Sequence, residues 1–507
     1  MILNNESTSS IYMMHKYWGK KPSDALRKYI LKYTNKGDTV LDPFSGFGGI
    51  AIESLLLNRN VIINDLNPVA CFISKCVLDE NVNMEKLKDL FLYLKNKYRS
   101  FQDEWYSFGG AHIITTLRNQ KDVPIKVKIQ ANNTIYEKEL TADEQEFFLR
   151  KESNYKIATW FPQDVLIHNS RICAKAGQKV SDLFPRRALV CHSFLYSLIE
   201  QLDDCSEKDL LKLAFTSNLA NCSKLVPPIK SRGDMAQGAW MTGFYVGENY
   251  LENNVFHYFE NRVEKIIKGK KKYLQLRQEN ETQTTYSILN KDAKQLQIPR
   301  ESIDFVFTDF PYGDTVPYFE QSQLWNCWLK KRVNYEDEIV ISNSCERNKD
   351  LQHFEHDIQK SVSVIHSVLK NERFFVFTFH SLSGEEWNAV ANALKQYSFE
   401  LVECDVVTQK TLPPRQLNRI NTIKGDIVAV YKKTEDRKEQ KLNFYAILKQ
   451  NIITILSPKE LFELNDIIKV IVKSILETKF SNNYMDFRKL INDNFLLDPL
   501  TNKWRIK

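Results

Sequence analysis

The stretch "DTVLDPFSGFGGIAIESLLLNRNVIINDL", Asp38 to Leu66, decides the fold. Thr39 to Leu41 read as a strand that ends at Asp42, the glycines at Gly46, Gly48 and Gly49 as a tight turn, and "IAIESLLLN" as a helix. "VIINDL" then reads as a second strand ending near Asp65. A strand, a glycine-rich turn, a helix and a strand in about 30 residues make a βαβ unit of a doubly wound sheet.

Glycines at such a turn let the backbone approach a ligand without a Cβ in the way. Asp65 follows Gly46 by 19 residues, about the spacing at which an acid meets the ribose hydroxyls of a nucleoside cofactor. The bland alternative is a tight turn with an incidental aspartate. In the dinucleotide fingerprint G-x-G-x-x-G the last position is Ala51 here, which leaves only the alanine variant open. Asp42 at the strand end suits a cofactor with a cationic amine, which S-adenosylmethionine (SAM) has and a dinucleotide lacks.

The helical stretch that begins "NPVACFISKCVL" continues the unit, and then the rhythm stops. Between about Val82 and Gln283 the pattern predicts helices near 84–106, 185–202, 207–225 and 253–276, with a β-like patch, "VPIKVKIQANNTIYEKEL". Strand patterns return with "TTYSILNKDA", "SIDFVFTDF" and "RFFVFTFHS". "FELVECDVV" and "GDIVAVYKK" come last and suit an antiparallel closing pair joined by a long loop. One sheet split by an insertion of roughly 200 residues is expected. The chain thus divides into residues 1–81, an inserted mainly helical region 82–283, residues 284–433, and a helical C-terminal appendage 434–507.

"DPFSGFGG" (Asp42–Gly49) resembles the SAM-binding motif of the DNA amino-methyltransferases, and "NDLNP" (Asn64–Pro68) is similar to the motif that follows it. "HKYWGKKP" (His15–Pro22) resembles the N-terminal segment that closes over the methionine end in that family, and "NKDA" (Asn290–Ala293) resembles the third motif. The resemblance implies a class I Rossmann-like SAM methyltransferase sheet. It also implies cofactor contacts from His15, Tyr17, Trp18, Asp42, Pro43, Phe44, Ser45, Gly46, Gly48, Asp65, Leu66, Asp292 and Ala293. Further segments, among them "SNLANCSKLVPP", resemble a subset of adenine-specific DNA methylases. Members of that subset often carry a CxxC zinc ribbon in the insertion. This chain has no cysteine there, so no metal is expected.

The apolar run "FVFTDFPYGD" (Phe305–Asp314) stops abruptly at an aspartate. "DFPY" (Asp309–Tyr312) is similar to the family's Asp/Asn/Ser-Pro-Pro-Tyr/Phe motif at a strand end. The exocyclic amine of a base is a poor nucleophile, because its lone pair is delocalised into the ring. Acceptors at its hydrogens bias it towards tetrahedral geometry and stabilise the charge that develops. Asp309 is the expected carboxylate acceptor and the Phe310 carbonyl the second. Pro311 stiffens the turn, and Tyr312 stacks on a base rotated out of the duplex. Phe310 departs from the family's proline and is expected to put a large ring near the base. Trp325 and Trp328 read as core, Tyr318 and Glu320 as core or pocket lining, and His380 as a capped strand end, with a place at the border of the site the alternative.

The insertion is the expected target-recognition region, in an order that resembles the family's alpha arrangement. Lys230 and Arg232 in the loop around "SRGDMAQGAW" are expected phosphate contacts. So are Lys268, Lys270, Lys271 and Lys272 in "NRVEKIIKGKKKYLQLR", where seven Lys/Arg meet one Glu. The alternative for that run is a solvated helix face.

Composition agrees with such a protein. The chain has 507 residues, 43% of them hydrophobic, and a net charge of +7, globular values that permit a polyanionic partner. Nine scattered cysteines without a CxxC pair suit reduced cytoplasmic thiols. No signal peptide is expected from "MILNNESTSSIYMM". "IIKVIVKSIL" is broken by lysines, short of the roughly 18 apolar residues a spanning helix needs. The expectation is a cytoplasmic, SAM-dependent DNA methyltransferase. It acts most readily on adenine N6 in double-stranded DNA, within a restriction-modification or phage-defence setting with subunits of that system. The alternatives are cytosine N4, an RNA base amine, or a catalytically silent SAM- and DNA-binding subunit.

Overall fold

The computed structural model describes residues 5–132, 134–279, 283–381, 383–407, 425–436, 443–456, 460–478, 487–499 and 501–507. The chain divides into two units. One comprises residues 18–66, 280–316 and 334–507; the other comprises 1–17, 67–279 and 317–333.

The first unit is built on a seven-stranded sheet. Its strands are Thr39–Asp42, Asn60–Asn64, Tyr286–Leu289, Ile303–Asp309, Leu369–Phe379, Phe399–Val407 and Asp426–Lys433. Numbered in chain order, they lie side by side as 6-7-5-4-1-2-3. Five are parallel; Asp426–Lys433 runs antiparallel to both neighbours, so the expected closing pair is present. The loop expected between that pair falls at 408–424, outside the described residues. Val40 and Leu41 pair with Phe305 and Val306 in register, which sets the ends at Asp42 and Asp309 on one edge of the sheet. Ile303 to Thr308 are all buried. That is the continuous apolar run expected of a parallel strand covered on both faces.

The C-terminal region was expected as an appendage, and its helices Phe444–Asn451, Leu464–Glu477 and Phe487–Asn494 are there. It shares the sheet's own core, however: Phe444, Ile467, Ile471 and Ile475 belong to the same buried cluster as Val306, Phe377 and Tyr431. The lysines that interrupt "IIKVIVKSIL" lie on the other helix face, where Lys469 Nζ pairs with Asp405 at 2.9 Å. Among the described residues, no helix is long and apolar enough to cross a membrane.

The second unit gathers long helices, Met84–Tyr106, Arg186–Glu200, Ser206–Leu219 and Val255–Gln278, beside a five-stranded sheet. Its hairpin, Pro124–Ala131 with Thr134–Glu139, is the β-like patch of the sequence and pairs without cysteines. The unit is wider than the expected 82–283. Helix Pro68–Leu78 joins it, and so does helix Tyr318–Trp328. The reason for the first is local: Lys75 pairs with Asp209 at 2.8 Å, and the carbonyls of Cys76 and Val77 accept from Lys270 at 2.9 Å. Gly269 is where the N-terminal helix crosses Val255–Gln278, since a Cβ there would meet Met14 and the Ser10 carbonyl well inside contact distance.

Buried charge also organises this unit. Glu252 on strand Asn249–Asn253 accepts from Arg187 at 2.7 and 2.8 Å and from Arg118, which also reaches Glu152 at 2.5 Å. Burial alone would raise the Glu252 carboxyl; Arg118 and Arg187 outweigh it and hold it below the ordinary range. Glu252→Ala leaves the Arg187 guanidinium without its carboxylate in the interior and Arg118 with Glu152 alone, and should cost about 3–5 kcal/mol in denaturant unfolding. A change under about 1 kcal/mol would contradict the pairing.

Candidate active site

Asp42, Asn64, Leu289 and Asp309 end four neighbouring strands on the same edge of the sheet, the edge at which ligands enter open α/β sheets. Asn64 fastens the loops there. Its Nδ2 donates to the carbonyls of Pro43 and Lys291, both at 3.0 Å, and its Oδ1 accepts from Lys291 N at 3.0 Å. Asn290 Nδ2 donates to the carbonyls of Asp65 and Leu66 at 2.8 and 3.1 Å. The segments of three sequence motifs are therefore side by side. Asn64 and Asn290 had been read only as parts of motifs.

Within the glycine turn, Gly46 and Gly48 hold φ of 50° and 84°, the left-handed region that a side chain disfavours. Gly46 N donates to Asp65 Oδ2 at 2.8 Å, so the turn orients the very acid expected at the ribose. Asp292 caps the short turn after it by accepting from Lys294 N at 2.9 Å; Ala293 is buried beside it. Phe44 packs against Phe310, with ring centroids 5.8 Å apart.

Two features of this turn ask for a polar, cationic ligand. The buried Ser45 Oγ has no hydrogen-bond partner among the described residues, a state buried hydroxyls rarely keep. Asp42 is buried; it accepts from Thr308 Oγ1 at 2.7 Å and from Phe44 N at 3.1 Å, and burial still pushes its carboxyl up to about 8. At neutral pH it therefore holds a proton. A cation brought against it displaces that proton, so a cationic ligand, with SAM as the probe, should release protons on binding below about pH 8, and its affinity should rise as the pH climbs towards that value and then level. Calorimetry in buffers of different ionisation enthalpy reads this directly. A pH-independent affinity without proton release would remove Asp42 from the site.

At the end of strand Ile303–Asp309 the residues of "DFPY" take distinct positions. Asp309 accepts from the Tyr312 hydroxyl at 2.9 and 3.0 Å and from Thr378 Oγ1, and it pairs with Lys21 Nζ at 2.9 Å. The Lys21 ammonium also meets Asp426 Oδ2 at 2.8 Å and the Tyr312 hydroxyl. His380 Nδ1 donates to the Gly425 carbonyl at 2.8 Å and lies 3.3 Å from Asp426 Oδ1. Asp426 outweighs the effect of burial and raises the His380 imidazole. His380 is capped by the Gly425 carbonyl, the preferred expectation for its strand end, and it also lies beside the Asp426–Lys21–Asp309 cluster. Lys21, Thr378 and Asp426 were not read from the sequence.

Phe310 requires a correction. Its ring was expected near the base, but it is fully buried among Phe44, Phe375 and Phe377. Side chains alternate along an extended chain, and Phe310 falls on the face that carries Val306 into the core. Pro311 follows, half-buried. Tyr312 is 5% exposed, its ring against Phe379 and His380, so in this structure its face is covered. Gly313 has φ 58°, and a Cβ there would run into the Glu386 carboxylate. Glu386 accepts from Asp314 N at 3.3 Å, so the turn after the motif is held closely.

The remaining expected residues lie in the helical unit, except Trp18, which belongs to the sheet unit. His15 is buried, with Nδ1 on the Lys16 carbonyl at 2.7 Å and Nε2 3.1 Å from Thr216 Oγ1. Expected at the cofactor, it has both ring nitrogens engaged inside its own unit. Tyr17 accepts from Asn67 Nδ2 at 3.3 Å and stacks on Tyr318 at 6.2 Å. Asn67 also binds Ser322 at 2.9 Å and Asn326 at 2.9 Å, a buried polar knot. Glu320, Trp325 and Trp328 are buried there. Of the expected phosphate contacts, Lys230, Arg232, Lys268 and Lys271 are exposed and Lys272 is half-buried. Lys270 is not one: it is 0% exposed, and burial lowers its ammonium to about 8.

The family model described as DNA methylase (N6_N4_Mtase) matches residues 2–75, the stretch that holds the glycine turn and both flanking motifs. The chain is 28% identical over 101 residues to Type II methyltransferase M.MjaII of Methanocaldococcus jannaschii. That match spans 20% of this chain and 19% of the relative. Over this part the chain is similar to the adenine- and cytosine-specific amino-methyltransferases, as its motifs indicate. Two solved structures align at 9% identity. The rRNA methyltransferase aviRa of Streptomyces viridochromogenes covers 84% of this chain and 92% of its own at TM-score 0.29. The methyltransferase complex with the Haloferax volcanii Trm112 activator covers 34% and 70% at TM-score 0.17.

Proposed function

We propose that the chain is a SAM-dependent methyltransferase acting on an exocyclic amine of a nucleic-acid base, with adenine N6 in double-stranded DNA as the target. The observation that carries this reading is Asp309: a carboxylate at the end of a buried strand, on the sheet edge that also bears the glycine turn and Asp65. The likeness of residues 2–75 to the DNA methylase family supports it.

The residues of the turn fit SAM. Asp42 favours a cation, the Ser45 hydroxyl has no partner among the described residues, and Asp65, the acid expected at the ribose, is oriented by Gly46 N. When bound, SAM supplies a methyl group activated on a sulfonium. The chain's own part is done by acceptors. Asp309 and the Phe310 carbonyl take hydrogen bonds from the amine and stabilise the positive charge that develops on it. Because the Phe310 ring is in the core, only its backbone faces this task, and the substitution of the family's proline leaves the acceptor in place. Tyr312 stacks on the extruded base once its face is uncovered.

An aspartate at the motif's first position favours adenine; cytosine N4 is the alternative product. Exposed Lys230, Arg232, Lys268 and Lys271 serve the phosphates, and the setting is restriction-modification or phage defence in the cytoplasm.

The two acids should separate in kinetics. Asp309→Ala should lose methyl transfer by about 100-fold or more while SAM affinity, read by calorimetry, stays within about twofold. Asp65→Ala should weaken SAM binding first. A variant Asp309→Ala that transfers methyl at the wild-type rate would overturn the assignment.

A further inference from the structure

Lys21 has no role in the reading above, yet it occupies the centre of the site. It is 7% exposed, and its ammonium bridges two carboxylates, 2.9 Å from Asp309 Oδ2 and 2.8 Å from Asp426 Oδ2. It also donates to the Tyr312 hydroxyl, which in turn donates to Asp309. Behind Asp426 stands His380 Nδ1, 3.3 Å from Oδ1. Three stretches far apart in sequence thus converge on one ammonium group.

The chemistry proposed for Asp309 needs a carboxylate. Protonated, the same group is a hydrogen-bond donor as well and cannot take both roles at an amine's hydrogens. Burial pushes towards that protonated form. The groups that face Asp309 divide cleanly. Lys21, Tyr312 and Thr378 donate to it, while Asp426 brings like charge near it and Asp42, protonated at neutral pH, brings none. Lys21 is the one cation among them. We propose that Lys21 is a positioning residue that keeps Asp309 ionised, with Asp426 and His380 holding the ammonium group in place. This rests on the methyltransferase reading.

The directions of the shifts agree. Burial raises the Asp309 carboxyl above its ordinary value even with Lys21 present, and Lys21 is the largest opposing influence. Asp426 is held well below the ordinary range, because Lys21 and His380 outweigh its burial. Lys21 itself is raised, since the two carboxylates overcome the effect of burial, so it remains a cation. Without Lys21, Asp309 takes up a proton at a higher pH, and activity that depends on the carboxylate is lost at the acid end first.

The test follows methyl transfer against pH for the wild type, Lys21→Met and Lys21→Arg, with SAM affinity measured in parallel. Infrared difference spectra of Lys21→Met, with and without Asp309→Asn, watch the carboxyl directly. Lys21→Met should lose about 100-fold in kcat at neutral pH, recover as the pH rises, and keep its SAM affinity. It should show a protonated-carboxyl band that Asp309→Asn removes, and Lys21→Arg should restore the wild-type acid limb. A Lys21→Met protein with the wild-type acid limb, or without a new carboxyl band, overturns the proposal. If the wild type binds SAM but methylates neither DNA nor RNA, the functional reading fails instead, and the infrared comparison still decides the role of Lys21.

Discussion

The Lys21 bridge between Asp309 and Asp426 is the contact on which the rest of the site depends. Two carboxylates are buried within reach of one ammonium group, and none of the three is stable there alone. Lys21 lies just before helix Ser23–Tyr33, Asp309 ends a central strand, and Asp426 begins the last strand. The bridge therefore ties the segment before the first strand and the start of the last sheet strand to the middle of the sheet. Truncation of Lys21 removes the cation both carboxylates share, whereas truncation of either carboxylate leaves Lys21 paired with the other, so the ammonium group is the partner the arrangement can least lose.

Sheet order explains why the ligand-facing groups meet at all. The glycine turn and the "DFPY" segment are separated by some 260 residues, most of them in the helical unit, yet strands Thr39–Asp42 and Ile303–Asp309 are direct neighbours. Parallel pairing puts both C-terminal ends on one edge. Asn64 and Asn290 then lock the intervening loops by side-chain bonds to backbone, which fixes the loops without requiring a regular element.

Local pattern made much of this legible. The strands, the long helices, the closing antiparallel pair and the hairpin without cysteines all follow from periods of 2 and 3.6 residues and from turn chemistry. What escaped was of two kinds. Lys21, Thr378 and Asp426 are polar residues whose meaning arises only from contacts across hundreds of residues; Lys21 sits inside "HKYWGKKP", yet nothing local says that it meets two carboxylates. Lys270 and Phe310 were misplaced although a signal was present. Lys270 continues the helical face of Val263, Ile266 and Tyr273, and Phe310 continues the strand face of Val306. In both cases a local chemical impression, a basic run and a motif position, was allowed to outweigh the period. The domain limits were displaced for a related reason: helix Pro68–Leu78 completes a βαβ pattern in sequence but packs with the helical unit.

The central claim is that the Asp309 edge of the sheet presents a base amine to a methyl donor. Its most direct test is to incubate the protein with isotopically labelled SAM and unmethylated double-stranded DNA, digest the product to nucleosides and identify the labelled one by mass. The account predicts N6-methyladenine, formed by the wild type and absent with Asp309→Ala. Label on a ring carbon, or label that survives Asp309→Ala undiminished, would contradict it.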